Sequence, residues 1–192
     1  MARMSGPRQR RRPNIGPVAA ICLASFAAAL LAACSNSNKQ ASAPPCPSVL
    51  ILADASEVTQ FRPGATRTSS DIASRATINQ FNGECRYNRS GAIITTDLSI
   101  IADRGPALQG DSAVYEYFAA VLAPDQRMVA KEVFSTAVDF RGQQRAGIQE
   151  QLEQRIPLPP GVNAAGYQIV YGFQLTADQL QFNDERRGFA LR

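Results

Sequence analysis

The chain has no histidine and no tryptophan, and only four of its 192 residues are cysteine. Without histidine, neither a Ser-His-Asp nor a Cys-His catalytic set can be assembled. Zinc sites, which draw mainly on imidazole and free thiolate, are starved of ligands for the same reason. No GxSxG, no SxxK and no glycine-rich phosphate loop occurs. The absence of tryptophan removes the core signature of antibody-type domains. No CxxC pair is present, so a redox motif of that kind is excluded. These absences lead to the expectation of a chain with no catalytic residue, no metal site and no cofactor.

The N-terminus is read first, because a targeting segment must be set aside before fold reasoning. Arg3, Arg8, Arg10, Arg11 and Arg12 crowd the first 13 positions, and an almost wholly apolar or small run follows from Ile15 to Ala33. That layout is an export signal, although the run is also about long enough to span a bilayer. Its end favours the signal. Leu31-Ala32-Ala33-Cys34 resembles the lipobox of bacterial lipoproteins. The resemblance implies cleavage before Cys34, a diacylglycerol on its thiol, and an acyl anchor worth roughly 0.8 kcal/mol per buried methylene. Arg11-Arg12 is followed by Pro13-Asn14-Ile15, which departs from the twin-arginine motif. Ser35 follows the cysteine where an aspartate would imply inner-membrane retention. The family rule thus points to an outer-membrane anchor facing the periplasm.

The formal net charge of +4 is produced by this segment alone. Setting its five arginines apart from the 20 basic residues leaves 15 against 16 acids, a net of −1. No basic run remains, so the footprint of a nucleic-acid binder is missing. Ser35 to Pro45 is polar and poor in large apolar residues, which reads as a flexible tether. The expected organisation is a signal peptide over 1–33, a lipidated tether over 34–45 and one domain over 46–192. Two cysteines fall in that domain, Cys46 and Cys85. In an oxidising compartment they are expected to form one disulfide, worth about 3–4 kcal/mol in the chain-entropy model.

The domain reads as strands divided by turn signals. Val49–Ala53 and Val58–Phe61 are short apolar runs, the second stopped by Pro63-Gly64. Ile72–Cys85 alternates weakly. Ile94, Leu98, Ile100 and Ala102 share one face of a period-2 segment, with Asp97, Ser99 and Asp103 on the other. Val114–Leu122 and Met128–Phe140 flank Pro124-Asp125 and read as a hairpin. Ala146–Ile156 fits a helix, with Ile148, Leu152 and Ile156 four apart, and also fits a strand with Glu150 as its exception. The sharp stop at Pro157-Leu158-Pro159-Pro160-Gly161 and the surrounding strands favour the strand. Tyr167, Ile169, Tyr171, Phe173 and Leu175 alternate clearly, and Thr176 to Gln179 matches a capping box for a closing helical turn. About seven strands spaced near ten residues predict an all-β fold, an immunoglobulin-like or fibronectin-III-like sandwich.

Across most of the domain the strings Cys46-Pro47-x-Val49, Arg104-Gly105-Pro106-Ala107, Tyr117-Phe118, Lys131-x-x-Phe134, Ile156-Pro157-Leu158 and Gly172-Phe173-Gln174-Leu175-Thr176 are similar to those of a group of uncharacterised bacterial lipoproteins. The resemblance strengthens the envelope address and implies no chemistry. Two function classes follow. One is a non-enzymatic binding or structural module that docks an envelope protein, with an exposed strand edge as one mode of docking; an inhibitor of a host or rival enzyme would look the same. The other is a hydrolase using scattered carboxylates such as Asp54, Asp97 and Asp103. Tyr115, Tyr117 and Phe118 are either core or a binding platform, and Asp103-Arg104-Gly105-Pro106 is either a turn or a recognition loop. The expected partners are a membrane, through Cys34, and an envelope protein.

Overall fold

The computed structural model describes residues 44–190. Eight strands make two four-stranded sheets, which face each other as a sandwich. In chain order they are β1 (Ser48–Ile51), β2 (Glu57–Phe61), β3 (Ile72–Asn88), β4 (Gly91–Arg104), β5 (Ser112–Leu122), β6 (Met128–Asp139), β7 (Arg145–Pro157) and β8 (Gln168–Phe173), followed by helix α1 (Ala177–Ala190). Sheet A runs β1-β8-β5-β6 and sheet B runs β2-β3-β4-β7. All neighbours are antiparallel except β1, which lies parallel to β8. The pairs β4–β7 and β5–β8 bring together strands distant in sequence, one pair in each sheet. B–E and C–F do the same in an immunoglobulin-type sandwich. The place beside β8 is taken by the N-terminal strand, in parallel.

Local chemistry explains the turns. Asn88 closes the β3–β4 hairpin by accepting the Ser90 N–H on its side-chain oxygen at 2.8 Å, an Asx turn. Gly91 follows with φ +134°, and a Cβ there would lie 2.1 Å from the Ile156 carbonyl oxygen. The Pro124-Asp125 turn joins β5 to β6 as expected, with Gln126 N–H bonded to the Ala123 carbonyl and Arg127 N–H to the Asp125 carboxylate.

The weak alternation of β3 has a cause in its register. Ile78 pairs with Ile100 but Gln80 pairs with Ser99, so Asn79 is a bulge residue. A bulge shifts the period-2 phase by one. Ala76 and Ile78 face the core before it, and Phe81, Cys85 and Tyr87 pack against the core after it. The ambiguous segment Ala146–Ile156 is strand β7, with Leu152, Gln154 and Ile156 buried and the odd-numbered residues exposed.

Aromatic rings fill the interior that lacks tryptophan. Tyr115, Tyr117, Tyr171, Phe140 and Phe173 are almost fully buried among Ile94, Leu98, Ile100 and Ile169. Tyr117 stacks on Phe134 with centroids 5.3 Å apart. Cys46 and Cys85 are joined, with Cα atoms 6.1 Å apart. The bond ties the lead-in to β1, in sheet A, to β3, in sheet B. Beside it the Tyr87 hydroxyl donates to the Pro45 carbonyl at 2.5 Å and accepts the Ala164 N–H at 2.9 Å.

The capping box forms: Gln179 N–H donates to Thr176 Oγ1, and Thr176 N–H donates to Gln179 Oε1. The helix it opens runs to 14 residues, well past the single closing turn expected. Contacts made only in the folded chain sustain it. Phe182 meets Phe61 edge-on at 5.1 Å, and Asn183 donates to the carbonyls of Asp54 and Glu57.

Phe173 is 1% exposed, between the two sheets, whereas Gln174 is exposed. Phe173→Ala is expected to lose about 3–5 kcal/mol in denaturant unfolding, and Gln174→Ala to stay within about 0.5 kcal/mol. A larger loss for Gln174→Ala would reverse this reading of β8.

Asp71 is 2% exposed and accepts from Thr68 Oγ1 at 2.7 Å, Arg62 Nε at 2.8 Å, the Thr68 N–H at 3.1 Å and Thr66 Oγ1 at 3.2 Å. The Thr68 hydroxyl above all, with Arg62, holds its carboxyl at about 2 against an ordinary 3.8. A depressed carboxyl contributes stability that is complete above its unfolded value and lost as the pH falls through the folded one. Acid unfolding of the wild type should therefore contain a component between about pH 4 and pH 2 that Asp71→Asn lacks. Superimposable pH–stability slopes for the two proteins in that window would contradict the assignment.

Candidate functional site

Leu31, Ala32, Ala33 and Cys34 lie outside the described residues, as does the tether up to Ala43. The carboxylates singled out in the sequence do not converge. Asp97 and Asp103 share the outer face of β4, as the alternation requires, but six strand residues, roughly 20 Å, separate them. Asp97 accepts from Gln151 at 3.0 Å, and Asp103 is held by Arg145 through two bonds of 2.6 and 2.9 Å. Asp54 pairs with Arg187 on α1. Among the described residues no group of three or more His, Cys, Asp or Glu could hold a metal ion. In the Asp103-Arg104-Gly105-Pro106 string the first two residues end β4 and the last two lead into a turn, which Arg104 braces by donating to Asp111 at 2.7 Å and to the Gly110 carbonyl at 2.6 Å. Among the described residues no helix is long and apolar enough to cross a membrane.

Between the sheets runs a polar seam. Thr136 donates to Glu150 at 2.5 Å, and Tyr171 donates to Gln154 at 2.6 Å. Burial, and then the neighbouring Glu150, pushes the Tyr117 phenol up to about 12; burial pushes Tyr171 up to about 12 as well. Phenols so shifted stay protonated at neutral pH, where they donate hydrogen bonds and do not act as bases. Beside the seam, a cleft of about 510 Å³ opens between the end of β6 and the start of β7, lined in part by Val138, Phe140, Arg141, Ala146 and Ile148.

The two outer faces of the sandwich differ in chemistry. Sheet B is covered by cross-strand polar pairs: Arg145–Asp103, Gln151–Asp97 and Arg86–Glu153. Sheet A presents Val114 and Val133, 55% and 48% exposed, with Phe118 half-buried opposite Val133 and Leu122 half-buried further along β5. Phe118 separates from its neighbours here. Tyr115 and Tyr117 point into the core, and Phe118 lies on the opposite side of β5, across Gly172. A Cβ at position 172 would sit 3.0 Å from the Phe118 ring, so the glycine makes room for it. Lys131 Nζ stands 4.5 Å from the ring centroid and donates to Gln174 Oε1 at 2.8 Å.

That face ends at β6, an edge of sheet A. Phe140 N–H bonds to the Asp111 carbonyl, which continues the pairing of Asp139 with Ser112. In an antiparallel ladder bonded and non-bonded pairs alternate. Phe134, Thr136 and Val138 therefore turn their amides toward β5. Lys131, Val133, Ser135, Ala137 and Asp139 turn theirs to the free edge. From Met128 to Val133 every side chain of β6 is exposed.

Sequence reasoning named Phe118 but could not place it, named Val114 and Lys131 without giving either a surface role, and passed over Val133. The usable signal was that Val114–Leu122 carries apolar residues at both parities, where a strand with one solvated face needs only one. No protein-family model matches the chain, and no curated protein matches it.

Proposed function

We propose that this chain is an exported lipoprotein, held at a membrane through Cys34, whose sandwich works by binding a protein strand along the free edge of β6. The observation that carries the reading is the state of that edge. Exposed strand edges are ordinarily blunted by charge, proline, brevity or a covering element. The 12-residue β6 contains no proline, has no covering element among the described residues and exposes Met128, Val129 and Val133 beside Val114 and Phe118; its charges are Lys131, Glu132 and Asp139. Its one lysine, Lys131, lies over Phe118 and donates to Gln174 Oε1. A strand added there gains main-chain hydrogen bonds for affinity and the Val133–Phe118 surface for selectivity. The absence of histidine and the scatter of Asp54, Asp97 and Asp103 into separate pairs support binding over turnover. The polar tether of Ser35 to Pro45, at most about 40 Å when extended, would keep the partner near the anchoring membrane.

The anchor is tested with a fatty-acid analogue fed to cells expressing the full chain. Wild type is expected to take up label and Cys34→Ser to lose it; equal labelling of both would remove the membrane address.

The edge is tested in the same cells with a photo-crosslinking residue. At Val133 it is expected to capture a protein, and at Gln149 on the charged edge of β7 it is expected to capture none. Ser135→Pro removes an amide donor from the free edge without touching the β5 ladder. It should cut the Val133 capture at least several-fold in a chain that still folds. No capture from Val133, or undiminished capture after Ser135→Pro, would end the strand-addition reading.

A further inference from the structure

We propose that the strand accepted by this edge is β6 of a second copy, giving a two-fold symmetric dimer with a continuous eight-stranded sheet; the proposal rests on the reading of β6 as a binding edge.

The argument starts from register. A two-fold axis perpendicular to the sheet pairs β6 with itself antiparallel, each residue opposite its mirror position about one centre. The free-edge amides belong to the odd-numbered residues from Lys131 to Asp139, and the middle one is Ser135. With the axis at Ser135, Lys131 stands opposite the partner's Asp139 and Val133 opposite the partner's Ala137. All of these side chains lie on the outer face, and all are exposed in the single chain. Symmetry makes each contact twice. Directly opposed unlike charges and opposed apolar residues are the favourable cross-strand combinations. Moving the axis toward Met128 by one or two residues sets Lys131 against Ala137 or Ser135, and moving it the other way by as much sets Lys131 against Arg141 or Gln143, beyond the strand; in each case Asp139 loses its opposing lysine. The self-complementarity therefore selects one register, in which on the order of ten ladder hydrogen bonds form.

Local geometry leaves the needed groups accessible. The Asp139 carboxylate accepts the Arg141 N–H at 3.1 Å and has Arg141 Nε 3.5 Å away, yet it remains largely exposed. Lys131 reaches Gln174 through one of three ammonium protons, which leaves donors for a facing carboxylate. On the inner side, Ala130 of one copy comes opposite Phe140 of the other. There the cleft of about 510 Å³ between β6 and β7 is lined by Phe140, Ala146 and Ile148. Ala130 and Glu132 are exposed in the single chain although they sit at the parity that faces inward from sheet A. Pairing of two copies covers Ala130 against Phe140, while Glu132, opposite Val138, must keep its carboxylate in the solvent of the cleft.

The test uses the full-length chain expressed in an exporting bacterium. Ser135→Cys places a thiol opposite its own copy at a Cα separation near 5.5 Å, within disulfide reach. Ala137→Cys meets its own copy only at about 13 Å, beyond it. Ser135→Cys is expected to give a covalent dimer on a non-reducing gel; Ala137→Cys and wild type are expected to remain monomeric there. In sedimentation of the detergent-purified chain, Lys131→Asp or Asp139→Lys alone should weaken dimerisation about tenfold or more. The double variant, with the charges exchanged, should restore it. Absence of the Ser135→Cys dimer, equal crosslinking at position 137, or failure of the double variant to recover would overturn the proposal. Mass identification of the Val133 photo-adduct separates the two readings. The chain itself supports both. A different protein keeps the binding edge and overturns the dimer. An empty result removes both.

Discussion

Two four-stranded sheets have four outer edges, and every edge carries backbone amides and carbonyls that no neighbouring strand satisfies. How each edge is treated governs much of the remaining architecture. At β2 the answer is α1: Asn183 donates to the Glu57 carbonyl at 2.8 Å, an acceptor that the β2–β3 ladder leaves free, and Phe182 covers Phe61. At β1 the answer is brevity, four residues only, with the Cys46–Cys85 bond just before them. Along β7 it is charge, since Arg145, Glu153 and Arg155 alternate outward with Gln149 and Gln151. Among the described residues no helix or loop covers β6, which is long and free of proline; it carries Lys131, Glu132 and Asp139 but also exposes Met128, Val129 and Val133. A helix, a disulfide and an ion-pair lattice therefore close three sides of the sandwich, and among the described residues the fourth has no covering element.

The same division separates structural chemistry from surface chemistry. The acids that suggested catalysis each have a structural partner: Asp54 holds α1 through Arg187, Asp103 joins β4 to β7 through Arg145, and Asp97 does the same through Gln151. The buried tyrosines carry hydroxyls into an otherwise apolar core, and the seam from Thr136 to Glu150 and from Tyr171 to Gln154 satisfies four polar groups that would each be costly if left unpaired. Three aromatic residues within four positions, Tyr115, Tyr117 and Phe118, divide between the two purposes. The first two support the interior, and the third, seated on Gly172, forms part of the outer surface.

Much of the fold was legible along the chain because the signals are local. The Thr176–Gln179 capping box, the Asn88 and Asp125 turns and the five-fold alternation around Tyr171 depend on residues within a few positions of one another. The pairing of Cys46 with Cys85 followed from there being only two thiols in the domain. Ile94, Leu98, Ile100 and Ala102 displayed the inward face of β4 without help from any other strand. Other features were decided by partners distant in sequence. The Asn79 bulge reverses the parity of β3 midway, so no single period could describe that strand. Residues 146–156 fit two periodicities; the Pro157–Gly161 stop favoured the strand, and the ladder that β4 offers from Gly91 to Asp103 fixes it. The full length of α1 depends on an edge more than 120 positions earlier. The open β6 edge is likewise a property of strand order: Met128 to Asp139 reads the same whether another strand lies beside it or not. Local backbone geometry can be encoded in neighbouring residues, but whether a main-chain amide finds a partner is settled only when the sheets assemble.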